Sequence, residues 1–214
     1  MNDHNGSDRG QIVGIDLDNT IAIYDDLLWK VALQKELIKD NVLKNKKQIR
    51  DAIRVMPDGE VEWQKLQGLI YGPRMFEAKI SPNILGFIET CQTRGTKVHI
   101  VSHKTQFASY DPTETDLRQS AMKWMSAQGF FSCRRRSLKE EDVYFVNSRQ
   151  EKSYCIRDIG CTHFIDDLEE VFDDPSFPSG VTKILFGPEH NITNPTDINC
   201  AYTWSEVLDL IFSV

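Results

Sequence analysis

Asp16 and Asp18 flank Leu17 where the apolar run Ile12-Val13-Gly14-Ile15 gives way to the polar turn Asn19-Thr20. A run of β-branched residues favours a strand, and a strand of an open α/β sheet delivers its last side chains to the edge where such sheets bind ligands. Two carboxylates placed there repel each other and resist desolvation, and a cation or a shared proton relieves both costs. The pair therefore points to a metal-bound anion site or an acid/base couple. The other reading of the same residues is a solvated turn, since Asp and Asn are common turn formers.

Three further features favour chemistry. The run Lys97-Val98-His99-Ile100-Val101 is a second strand-like segment that ends in Ser102, whose hydroxyl both donates and accepts and suits a phosphate oxygen. Thr162-His163-Phe164-Ile165 is a third segment of this kind, and it ends in the acidic pair Asp166-Asp167. Between them stands Lys152, before a stretch with Tyr154, Ile156 and Ile159 at helical spacing that stops at Gly160. Its ammonium can neutralise an anion among the carboxylates.

The ordered set Asp16-Leu17-Asp18-Asn19-Thr20, Ser102, Lys152 and Asp166-Asp167 resembles the four motifs of the haloacid dehalogenase (HAD) superfamily of phosphohydrolases. The resemblance implies a nucleophile at Asp16 that becomes an aspartyl phosphate, and a general acid/base at Asp18. It implies phosphate-binding positions at Ser102 and Lys152, with Leu17, Asn19 and His103 as further phosphate-binding candidates. The implied cofactor is Mg2+, held by Asp16, the Asp18 carbonyl, Asp166 and Asp167. An Asp at the second position of the first motif is the pattern of the superfamily's phosphatases and phosphomutases. Lys104, two residues after Ser102, is the rival to Lys152 for the charge-neutralising role.

The chemistry agrees with those roles. A phosphomonoester dianion repels a carboxylate nucleophile, so attack by Asp16 needs positive charge around the phosphoryl group as it passes between oxygens. Hard oxygen ligands suit magnesium. Asp18 would protonate the leaving alkoxide and later accept a proton from the hydrolytic water. The expected partner is a small phosphorylated substrate, with a phosphomutase or a non-catalytic phosphate-binding protein as the alternatives.

With 214 residues the chain can bury one sizeable core plus an insertion. A formal charge of −7 argues against general nucleic-acid binding, which depends on clustered Lys and Arg. Arg134-Arg135-Arg136 is the dense basic run, and it reads as a solvated loop. No stretch has the roughly 18 apolar residues of a membrane span, and nothing resembles a signal peptide, so the expectation is a cytoplasmic protein without membrane partners. The five cysteines, Cys91, Cys133, Cys155, Cys161 and Cys200, contain no Cys-x-x-Cys pair and read as reduced thiols. Asn191-Ile192-Thr193 reads as a loop.

The elements that must position these residues alternate. Asp25 to Lys44 carries Leu28, Val31, Ile38 and Val42 at helical spacing, and Val61 to Tyr71 carries Trp63, Leu66, Leu69 and Ile70. No strand signal interrupts Asp26 to Lys79. Ser81-Pro82 reads as the start of a helix through Cys91, Asp116 to Gln128 as another, and Thr203-Trp204-Ser205-Glu206 as a capping box. Val143–Val146 and Thr182–Phe186 read as strands. The expected fold is α/β, a three-layer Rossmann-like, mainly parallel sheet with a small helical cap insertion. The division is a core of residues 11–24 and 80–214, a cap of 25–79 and a flexible tail of 1–10. Trp63, Gln64, Lys65, Tyr71 and Arg74 are either substrate contacts or the insertion's own core and solvated face.

Overall fold

The run that leads to Asp16 forms the central strand of a parallel sheet, β1 (Ile12–Ile15), in a computed structural model that describes residues 10–111, 113–132, 137–187 and 197–213. Cys133, Arg134 to Arg136, Asn191 to Thr193 and nearly all of the expected tail lie outside the described residues. After β1 come β2 (Ala22–Ile23), α1 (Asp25–Gln34), α2 (Lys46–Arg54), α3 (Gly59–Tyr71) and β3 (Lys79–Ile80). They are followed by α4 (Ile84–Thr93), β4 (Lys97–His103), α5 (Leu117–Ala127), β5 (Val143–Val146) and α6 (Arg149–Ile159). The chain continues through β6 (His163–Asp166), α7 (Glu169–Phe172), β7 (Thr182–Phe186), β8 (Ile198–Ala201) and α8 (Trp204–Phe212).

Among the described residues the large sheet has six strands in the order β5-β4-β1-β6-β7-β8, all parallel. β1 therefore sits where the chain's path turns from one half of the sheet to the other, with β4 on one side and β6 on the other. The carboxyl ends of strands at such a switch point form the crevice in which these sheets bind ligands.

The period of two along a strand sorts side chains between the faces. Val13, Ile15, Val98, Ile100 and Ile165 pack with residues of α4, α5 and α8 on one face. On the other, Val101, Phe164 and Leu185 pack with Ile156 of α6 and with Val171 and Phe172 of α7. Gly14 is on this second face, where a Cβ would come within 2.6 Å of the Phe164 ring. Only glycine lets that ring lie against β1. By the same alternation Asp16 and Asp166 project toward α6.

Helices α1 to α3 form an insertion between β2 and β3, two short strands that pair antiparallel with Ala22 opposite Ile80. Ile49, Ile53, Trp63, Leu66 and Ile70 are buried here and continue the core of the first face.

Several local expectations shift. The helical spacing from Asp25 to Lys44 supports a helix only to Gln34, because Glu36 adopts a left-handed φ of 56°. A helix at Lys46–Arg54 takes up the chain again, capped by the Asn45 side chain, which accepts from Gln48 N–H at 3.1 Å. Helix α4 begins at Ile84 rather than Ser81, and the Ser81 hydroxyl instead accepts the Trp204 indole N–H at 2.8 Å. The helix expected from Asp116 starts at Leu117, with Asp116 as its cap accepting from Gln119 N–H at 2.8 Å. Thr203 caps α8, and Glu206 reaches back to the Tyr202 N–H at 2.7 Å.

The four described cysteines, Cys91, Cys155, Cys161 and Cys200, are free, and burial pushes the Cys161 thiol up to about 12. No helix among the described residues is long and apolar enough to cross a membrane.

Helix α6 starts at a cap whose loss is measurable. Ser148 Oγ accepts the Glu151 N–H at 3.0 Å, so Ser148→Ala should cost about 1 kcal/mol of unfolding free energy in a urea titration. An unchanged midpoint would show that the cap contributes nothing.

Candidate active site

Asp16 ends β1, Asp166 ends β6, and α6 carries Lys152 over the gap between them. The Lys152 ammonium donates to Asp16 Oδ1 at 2.5 Å and to Asp166 Oδ2 at 2.6 Å. All three groups are buried, and the Phe164 ring lies 5.3 Å from the ammonium. Burial opposes a lone charge of either sign, so a cation shared by two carboxylates is the arrangement that offsets the cost. For Asp16 the balance is incomplete: burial raises its carboxyl to about 7, against the pull of Lys152 and with the push of Asp166 and Asp18.

Asp18 has different company. Its carboxylate accepts from Lys104 Nζ at 2.8 Å through Oδ2 and from the Tyr24 hydroxyl at 2.8 Å through Oδ1. Burial works against its charge, but Lys104 and Tyr24 outweigh it and hold Asp18 below the usual carboxylate range. Lys104 also sits 4.6 Å over the Tyr71 ring, which meets Tyr24 edge-on at 4.9 Å. Two carboxylates in one turn are thus held in unlike electrostatic states, an arrangement associated with divided acid, base and nucleophile roles.

The turn after Asp18 is tight. Leu17 C=O accepts the N–H groups of Ile21 and Ala22, and Asn19 takes a φ of 68°, which Asn tolerates better than most residues. Leu17's side chain is in the core, so its backbone alone can face a ligand. Ser102 Oγ, Asn19 Oδ1 and Thr20 Oγ1 are buried without a hydrogen-bond partner. Buried polar atoms are nearly always paired, so the serine hydroxyl near the end of β4 is left with hydrogen-bonding capacity to spare.

Beside this turn lies a cavity of about 530 Å3, within the range of small-molecule sites. Asp16, Asp18, Lys152, Asp166, Asp167 and His103 line it. His103 Nε2 also lies 3.0 Å from the Asn147 carbonyl. Of the insertion residues weighed as substrate contacts, Gln64 and Tyr71 line the cavity. Trp63 is buried in the core, Lys65 pairs with Glu62 at 2.7 Å, and Arg74 is clamped to Glu77.

Lys46 is one of the lining residues that sequence reading missed. It opens α2 and is half-buried, and its ammonium is held above the usual lysine range. Burial opposes that charge, but Tyr71 and the carboxylates of Asp167, Asp18 and Asp16 outweigh it. It lies in the polar run Lys44-Asn45-Lys46-Lys47, where nothing in spacing separates one lysine from its neighbours. The one local signal is Asn45, whose capping places Lys46 in the first turn of a helix.

No protein-family model matches the chain, and no curated protein does. Solved structures do match. A HAD-superfamily hydrolase of subfamily IA from Geobacter sulfurreducens is 13% identical with a TM-score of 0.54, over 94% of this chain and 96% of that one. The chain shares the fold of this HAD-superfamily hydrolase. A predicted phosphoglycolate phosphatase from Haemophilus somnus is 14% identical with a TM-score of 0.57, over 96% of this chain and 100% of that one. Protein tyrosine kinase A of Mycobacterium tuberculosis is 12% identical with a TM-score of 0.65, over 95% of this chain and 98% of that one. Of the residues through which the sequence resembles the HAD superfamily, Asp16, Asp18, Lys152, Asp166 and Asp167 line the cavity, whereas Leu17, Asn19, Thr20 and Ser102 are not part of its lining.

The donor set fits the divalent cation that the HAD fold implies. Carboxylate oxygens of Asp16, Asp166 and Asp167 lie within 4.8 Å of one another. Burial, with Asp166 and Asp16 close by, holds Asp167 well above the usual carboxylate range despite Lys46 and Lys152. Crowded carboxylates of this kind favour a hard cation.

A divalent cation that binds the folded arrangement and not the unfolded chain raises the melting temperature, so added magnesium should produce such a shift. At about a hundredfold above the dissociation constant the gain is roughly 2.7 kcal/mol. Asp166→Asn should lose the shift in a thermal scan, while Asp173→Ala, at an exposed position beyond α7, should keep it. Equal shifts for parent and Asp166→Asn would exclude this cluster as the metal site.

Proposed function

We propose that the chain is a magnesium-dependent phosphatase that hydrolyses a small phosphomonoester through an aspartyl phosphate on Asp16. The observation that carries this reading is the contrast across one turn. Asp16 is grouped with Lys152 and Asp166, whereas Asp18, two residues on, is held separately by Lys104 and Tyr24. On this reading residues 11–24 and 80–214 carry the chemistry and residues 25–79 cap it.

Magnesium, held by Asp16, Asp166, Asp167 and the Asp18 carbonyl, would supply positive charge that makes a phosphate dianion approachable by a carboxylate. The remaining steps belong to the chain. Lys152 holds Asp16 through Oδ1 and offsets charge on the phosphoryl oxygens. The unpartnered Ser102 hydroxyl donates to one of those oxygens, and the backbone around Leu17 and Asn19, with His103, completes the cradle. An Asp16 oxygen attacks phosphorus as the ester P–O bond breaks, and the leaving alkoxide takes a proton from Asp18. Water then attacks the phosphorus of the acyl phosphate, Asp18 takes its proton, and inorganic phosphate leaves with Asp16 restored.

Asp18 as found is ionised, the form that the second step uses as a base. The first step needs it protonated. A phosphate dianion drawing Lys104 toward itself weakens the restraint on Asp18, and burial then favours the neutral acid. Hydrolysis leaves the proton on Asp18 for the next turnover.

The two named neighbours with phosphoryl chemistry, a phosphatase and a tyrosine kinase, do not separate hydrolysis from transfer. The absence of a Walker-type or dinucleotide-type Gly-rich loop supports hydrolysis.

Asp16→Asn should abolish phosphate release while leaving the circular dichroism spectrum unchanged, because an amide matches the carboxylate in size but is not an anionic nucleophile. Turnover within about tenfold of the parent would remove Asp16 from that role, given the scale of covalent catalysis. Asp18→Asn should slow turnover of an alkyl phosphate by about 10²- to 10⁴-fold and let the phosphoryl enzyme accumulate. An alkyl phosphate turned over at the parent rate would reject Asp18 as the proton carrier.

A further inference from the structure

We infer that the leaving group of the substrate is a neutral, polyhydroxylated alcohol, and that the helical insertion reads its hydroxyls through Gln64 and Gln67 of α3. The inference rests on the phosphatase reading and specifies it.

The cavity's charges are distributed unevenly. Lys152 is bound to Asp16 and Asp166, Lys104 to Asp18, and Lys46 faces Asp167, Asp18 and Asp16. Arg149, the remaining basic residue of the lining, stands one turn before Lys152 on α6 and so shares its side of the cavity. Another part of the wall is made by α3 and the loop after β4, which meet closely. A Cβ on Gly68 would come within 2.8 Å of the Ala108 Cβ, so both positions are small where the two segments touch.

Beyond Lys104, which begins that loop and is paired with Asp18, this wall offers Gln64, Gln67, Tyr71, Thr105 and Ser109 to the cavity and no further cation. Its other charge is Glu60, which is anionic and held by Arg54 and by Gln64. A carboxylate or second phosphate placed there would lose water and gain no counter-charge, whereas hydroxyls would find amides and hydroxyls of matching kind. A nucleobase fares no better. Stacking needs an open aromatic face, and Tyr71, the aromatic residue of the lining, is already occupied by Lys104 at 4.6 Å and by the Tyr24 edge.

The test uses the purified full chain with magnesium and compares kcat/KM across p-nitrophenyl phosphate, hexose and polyol monophosphates, 2-phosphoglycolate, a hexose bisphosphate and nucleoside monophosphates. At least one neutral sugar or polyol phosphate should exceed every ester with an anionic or nucleobase leaving group by about tenfold or more. Preference for phosphoglycolate, the bisphosphate or a nucleotide would overturn the inference, as would turnover of p-nitrophenyl phosphate with none of the sugar or polyol esters. No release from any ester, p-nitrophenyl phosphate included, would instead sink the phosphatase reading itself. Gln67→Lys places an ammonium on the neutral wall and should shift the ratio of phosphoglycolate to hexose phosphate turnover by about tenfold toward the carboxylate. Gln64→Lys repeats the test from the neighbouring turn. Ratios equal to the parent's in both variants would show that the leaving group does not lie against α3.

Discussion

The shared ammonium of Lys152 is the constraint around which this site is arranged. Asp16 and Asp166 end neighbouring strands and face the same way, so burying both without a cation between them would leave two charges in conflict. Parallel pairing of β1 with β6 brings them together, and Gly14 leaves space for the Phe164 ring, which lies 5.3 Å from the lysine ammonium. The helix that supplies the lysine is anchored at Ser148 and ended by Gly160 at a φ of 77°. Had α6 begun one residue earlier or later, its rotation of about 100° per residue would have pointed another side chain into the gap.

A second charge arrangement sits beside the first and does not share its members. Lys104 and Tyr24 serve Asp18, and Tyr71 covers Lys104. Each carboxylate of the turn has its own buried donors, although the charge of Asp18 is still felt at Asp16. A site arranged this way has its dipoles and charges oriented before substrate arrives, which is the condition for electrostatic stabilisation without reorganisation.

Much of this could be read in the residues, and for one reason. Asp16, Ser102 and Asp166 end apolar runs with strand character, so order along the chain translated directly into position at a sheet edge. The same reasoning failed where local pattern and fold part company. Ala22–Ile23 and Lys79–Ile80 pair as strands only two residues long, too short for alternation to register. Ile38 keeps the helical spacing of its neighbours and is buried, yet it lies beyond the end of α1, so periodicity there reported burial without reporting helix. Trp63 has the same lesson in reverse: an aromatic suited to a ligand was used for the insertion's packing. Lys46 was hidden because its meaning comes from contacts across the fold rather than from its neighbours in sequence.

Tyr24 and Tyr71 have a position in the chain that gives their contact a further meaning. Tyr24 is the residue from which α1 departs, and Tyr71 is the last residue of α3. Both ends of the three-helix insertion are therefore fastened at the same point, on the pair formed by Asp18 and Lys104. The helices cannot tilt against the sheet without disturbing at least one of these two rings, and with it the surroundings of Asp18. Where the insertion stands and which groups surround the Asp18 carboxylate are thus tied to the same few contacts, read at one end as a shape and at the other as a set of hydrogen bonds.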